Sequence, residues 1–153
     1  MKIHGNRIDS VNEVLIPILR PTGDILLKAQ AVHDKSDFEK LVKEPEAPMV
    51  MHRGSTAHVP NFEDPGYREK QKKFNQLRSD WLVLKSLQAT DGLEWENVKM
   101  EEPDTWQNWR QELVDSKFTD GEIVRIMNAV VEANGLDEDK IEEARQRFLA
   151  LVP

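Results

Sequence analysis

The sequence contains no cysteine among its 153 residues. That excludes a disulfide framework, thiolate zinc ligands and thiol catalysis, and it fits a reducing compartment. No run of 18 apolar residues occurs, so no segment reads as a membrane span. Lys2, His4, Asn6, Arg7 and Asp9 interrupt the N-terminus where a signal peptide needs an apolar stretch, and a soluble, cytosolic protein is expected. Glycine-rich phosphate loops and a nucleophile elbow are also missing. His52 and His58 flank Ser55, but no third orienting residue or carboxylate cluster accompanies them, while His4 and His33 have no histidine neighbour at ligand spacing. The acidic pairs Glu101-Glu102 and Glu142-Glu143 would point about 100° apart on a helix, which does not suit a shared catalytic site. No catalytic, cofactor-binding or metal-binding residue is therefore assigned, and no enzyme is expected.

Charge is plentiful but unevenly placed. Acidic residues number 28 against 21 basic ones, and the net charge of −7 argues against general nucleic-acid binding and for basic partners. Residues 1–90 carry 14 basic and 12 acidic side chains, whereas residues 91–153 carry 7 and 16. Part of the C-terminal excess, as in "LDEDKIEEA", complements the positive end of a helix dipole. A chain of this length with 39% hydrophobic residues can build one modest core.

The pattern predicts a mainly α fold with a small N-terminal β-hairpin and a helical domain of about four helices. Three regions follow: 1–43 (hairpin and short helix), 44–65 (Pro-rich loop or arm) and 66–153 (helical domain). In "VLIPILRPTGDILLKAQAV" two apolar runs flank Pro21-Thr22-Gly23-Asp24, which is turn chemistry, and Pro17 confines the first run to an edge. "SDFEKLVK" offers Ser36 as N-cap with Glu39 three residues on, a capping box that opens a short helix ended by Pro45. Residues 44–65 hold four prolines without periodicity and read as an extended loop or arm, expected to be mobile and cut first near Arg53 by a protease.

From Pro65 the spacing turns helical. Tyr67, Phe74, Leu77, Trp81, Leu84 and Leu87 recur at three, four and seven, with Gly92 as the end signal. The other face carries Arg68, Lys70, Lys72, Lys73, Arg78 and Lys85, either a solvated surface or a docking face for an acidic partner. "LEWENV" reads as a connector, and a helix begins near Pro103 with Trp106 and Trp109 as packing anchors. Tyr67, Phe74, Trp81, Trp106, Trp109 and Phe148 are the expected core anchors. Two further helices start at Thr119 (with Glu122) and Asp137, each with an apolar pair around its cap, and Gly135 ends the first. They predict a helical hairpin in which Ile123, Ile126, Met127, Val130 and Val131 face Ile141, Ala144, Phe148 and Leu149.

The succession "ILRPTGDILLKAQAV", "EPEAPMVM", "DPGYREKQKKFNQLRSDWLVLKSL", "LEWENV" and "EPDTWQNWRQELVDSKFTDGEIVRIMNAVVEANGLDEDKIEEARQRFL" resembles the tail assembly chaperones of long-tailed bacteriophages across nearly the whole chain. The resemblance implies a non-enzymatic helical protein of the host cytoplasm. It would coat the tape measure protein during assembly, keep it soluble and help recruit tail tube protein, without cofactor, nucleic acid or membrane. Arg68, Lys72, Lys73, Arg78, Lys85 and Arg53 are the candidate partner-binding residues, and self-association is expected from a basic helix opposed to an acidic C-terminal part. The competing expectation is a permanent structural or adaptor subunit of the particle, at the neck, tail or baseplate.

Overall fold

Residues 1–151 are described by a computed structural model. Strands β1 (Lys2–Ile3) and β2 (Asn6–Arg7) form a small exposed hairpin whose turn uses positive φ at His4 and Gly5. β3 (Glu13–Ile18) and β4 (Ile25–Gln30) form the expected hairpin, in antiparallel register with Ile16 opposite Leu27 and Ile18 opposite Ile25. Alternation puts Ile16, Ile18, Leu27 and Ala29 on its buried face, while Leu15, Pro17 and Leu26 stay outside. The hairpin's turn is closed by Asp24, which accepts the Arg20 backbone N–H at 3.1 Å.

α1 (Ser36–Leu41) lies where expected, but its cap does not. Lys35 occupies the N-cap without a side-chain bond, and Asp34 Oδ1 instead accepts the Ser36 N–H at 2.9 Å, which holds the Asp34 carboxyl below its ordinary range. The arm contains regular structure that its prolines concealed. β5 (Met49–Met51) and β6 (His58–Pro60) pair antiparallel across a turn with Gly54 at φ +76°. α2 (Pro65–Leu87) opens on Asp64, whose carboxylate accepts the Tyr67 N–H at 2.8 Å, with Pro65 at the first helical position. It ends five residues before Gly92, which has φ +71° in the turn that follows. Pro103–Asn108 is a 3₁₀ segment that runs into α3 (Trp109–Asp115), so the single helix expected there is split. α4 (Asp120–Ala133) carries both bonds of the predicted capping box at Thr119 and Glu122, and α5 (Glu138–Ala150) starts on Asp137 as predicted.

One core joins β3, β4, α1, α2, the Pro103–Asn108 segment, α3 and α4, so the β3–β4 hairpin and these helices share their interior. Phe38 of α1 sits among Phe74, Trp81 and Trp106, with ring centroids 5.6, 5.4 and 6.0 Å away. Such aromatic pairs add about 0.5–1.5 kcal/mol each beyond the area they bury. α4 lays Ile123, Ile126, Ala129, Val130 and Ala133 against the hairpin and against Leu84 and Leu87 of α2. Polar groups secure the seams. Arg20 grips Glu122 with two bonds of 2.8 and 3.1 Å while lying over the Phe118 ring, which ties the hairpin turn to the start of α4. Asn134 accepts the Val32 N–H at 2.8 Å and donates to Ser86 Oγ at 2.9 Å, and Thr90 Oγ1 takes the Lys28 N–H at 2.8 Å.

The predicted helical hairpin does not form. α5 has no buried residue, and Phe148, an expected core anchor, is 71% exposed. The buried face of α4 is covered by β3, β4 and α2 instead, and α5 lies outside that core. Tyr67, another expected anchor, is only half-buried, because the first half of α2 runs beyond the core.

Candidate protein-docking surfaces

α2 divides the molecule. From Asp80 onward most of its residues are buried; before that, only Phe74 is. The protruding half carries two clefts. One, of about 480 Å³, runs beside Phe62, Tyr67, Arg68, Gln71 and Lys72. Phe62 meets Tyr67 edge-on at 6.0 Å, and Gln71 Oε1 is buried there with no donor among the described residues. The other, of about 380 Å³, lies between the 42–46 segment and Lys70, Lys73, Phe74 and Leu77.

The expected basic docking face is not one face. At 100° per residue the spacings from Arg68 to Lys85 carry the cations around the helix. Lys72 and Lys73 line different clefts, and Arg68 pairs with Glu63 at the helix start. Arg78 stands over the Phe74 ring at 5.8 Å. Lys85 lies 3.4 Å from Asp37, an ion pair within the body. Arg53 sits apart from all of them, in the exposed turn between β5 and β6.

Two uncovered apolar surfaces complete the arrangement. In the β5–β6 hairpin every residue from 48 to 60 is exposed, including Met49, Val50, Met51 and Val59, and each strand keeps one edge unpaired. The outer edge of β5, with free N–H and C=O groups beside apolar side chains, can accept an added strand, whereas Pro60 removes a donor from the edge of β6. The signal was present in "PMVM" and "HVP" around "RGST", two short apolar pieces separated by a glycine turn. In α5, Ile141, Ala144 and Phe148 fall on one stripe at spacings of three and four, with Leu149 at its flank. The stripe is exposed apart from half-buried Ala144. Flexible methionines and an unpartnered amphipathic stripe suit adaptable contact with another chain.

His52 and Ser55 lie in the β5–β6 turn and His58 opens β6, and the Ser55 hydroxyl accepts the Ala57 N–H at 3.0 Å, a turn-forming bond. Among the described residues no three metal-binding side chains cluster, and no helix is long and apolar enough to cross a membrane. Compared with family models, curated proteins and solved structures, the chain matches none of them.

Proposed function

We propose that this chain is a tail assembly chaperone of a long-tailed bacteriophage, acting without catalysis in the host cytoplasm. Several copies bind the helical tape measure protein, shield its apolar stripes and help recruit tail tube protein. The observation that supports this most is the contrast between a closed core and two uncovered apolar segments, α5 and β5–β6, with the clefts of α2 beside them. A protein that carries unpartnered apolar surface on an acidic, highly charged chain can stay dissolved while holding a less soluble partner. Apolar area supplies most of the binding free energy; exposed ion pairs add only about 0–1 kcal/mol each and set rate and salt sensitivity instead. Co-expression should raise the soluble yield of the tape measure protein and co-purify several copies of this chain with it. An insoluble tape measure protein under co-expression rejects the reading.

The alternative is a permanent subunit of the neck, tail or baseplate. The unpaired edges of β5–β6 favour it, since a strand added to a neighbour's sheet makes a lasting joint. Mass spectrometry of purified virions separates the two: a stoichiometric amount of this chain in the particle supports the subunit, and its absence supports the chaperone.

A further inference from the structure

We propose that the trough beside Asp80 is a binding site for an arginine side chain of a partner protein, with the Asp80 carboxylate as its acceptor. Asp80 is only 6% exposed. Its Oδ1 accepts the Trp109 Nε1–H at 2.9 Å, and Gln76 Nε2 donates to both carboxylate oxygens at 3.3 Å. Both donors are neutral, and no described lysine or arginine pairs with it. Burying a carboxylate without a cation is destabilising. Holding Trp109 requires an acceptor but not a charge, since an asparagine carbonyl would serve. The negative charge is therefore surplus to the fold.

That charge faces open space. Asp80 lines a partly open trough of about 510 Å³ walled by Val83, Trp109 and Met127, and an adjoining space of about 210 Å³, which Lys73 and Asp104 also border without an ion pair to Asp80, shares Gln76, Asp80 and Gln107 with it. Arg110 borders the same trough but does not neutralise Asp80. Its guanidinium lies over the Trp109 ring at 5.7 Å, and Nη2 donates to Met127 Sδ at 3.0 Å. An incoming arginine suits the site better than lysine, because a planar fork can meet both carboxylate oxygens and lie flat against indole and amide walls. Val83 and Met127 would take its aliphatic stem. The inference rests on the reading of this chain as a protein-binding molecule and narrows the partner to one that presents an exposed arginine.

The test titrates the full chain with N-acetyl-arginine amide and with its uncharged citrulline counterpart, following the Trp109 indole N–H by NMR. The arginine compound should give a saturable shift and the citrulline compound none. Asp80→Asn should weaken binding at least tenfold while leaving Tm unchanged or higher, and Arg145→Gln, on α5 away from the trough, should leave binding in place. Equal shifts from both compounds, an unaffected Asp80→Asn, or a strongly lowered Tm for Asp80→Asn would overturn the proposal. It also fails if Arg110→Gln lowers Tm and combining it with Asp80→Asn adds nothing further, because Arg110 is then the partner of Asp80 in solution. No tape measure protein enters this experiment, so the site and the chaperone reading can fail separately.

Discussion

Helices α4 and α5 start with the same chemistry, a side-chain oxygen capping the third N–H, at 3.2 Å from Thr119 to Glu122 and at 3.2 Å from Asp137 to Lys140. Their fates differ: α4 buries five side chains and α5 none. A cap sets where a helix begins and says nothing about what it packs on. Content decides that. Seven of the 13 residues in α5 are charged, and its apolar stripe is narrow, whereas α4 offers isoleucine, valine and alanine through all four of its turns. A helix of about 12–15 residues is marginal in water without tertiary packing. α5 thus has a well-defined start and an uncovered face, the combination that a binding helix needs.

The largest effects should fall within the core that α4 completes. Trp81→Ala should cost about 3–5 kcal/mol and Ile126→Ala about 2–5 kcal/mol, both read from urea unfolding. Phe148→Ala should stay within about 0.5 kcal/mol of wild type, since the side chain contributes nothing to the core. A Phe148→Ala cost as large as that of Ile126→Ala would erase the distinction between the helices.

The caps sharpen the comparison at a smaller scale. Thr119→Ala should cost about 0.5–2 kcal/mol of global stability. Asp137→Ala, with the same chemistry, should reduce the helicity of α5 and leave the main unfolding midpoint unmoved, because α5 lies outside the cooperative core. Circular dichroism beside tryptophan fluorescence separates the two responses, as all four tryptophans lie outside α5.

A pH-dependent difference follows from Glu122, the capping-box acid that also holds Arg20. The Arg20 guanidinium, and then the Thr119 N–H, draw its carboxyl from 4.5 down to about 2. A depressed carboxylate favours the folded state above its unfolded value. Its contribution should therefore be complete above about pH 4.5 and fade as the pH falls toward 2. The stability gap between wild type and Glu122→Gln should close over that window. A gap constant from pH 7 to 2 would deny the pairing.

Local chemistry was legible and long-range choice was not. The hairpin turn at Pro21–Asp24, the α2 period from Tyr67 to Leu87 and the Thr119 and Asp137 caps are each written within a few residues. Glu122 could be read as the cap's third residue, but its second partner, Arg20, lies 102 residues away and leaves no local trace. Phe38 hid in a six-residue helix, although it stands at the centre of the aromatic cluster. Both helices of the expected pair have apolar stripes, and periodicity cannot tell whether a stripe meets its neighbour or a distant strand. Of the candidate docking surfaces, the basic residues of α2 and the two apolar pieces of β5–β6 are written in the sequence, but that β5–β6 stays uncovered and that Lys72 and Lys73 border different clefts emerged only in three dimensions.

Hydrogen exchange of the chain, alone and with a fragment of the proposed partner, the tape measure protein, tests the central claim most directly. In the isolated chain α4 amides should be strongly protected, while those of α5 and of the β5–β6 edges exchange fast. The fragment should slow exchange in α5 and β5–β6 and leave α4 as it was. Protection of α5 equal to that of α4 in the isolated monomer, or unchanged exchange throughout in the complex, would contradict the account.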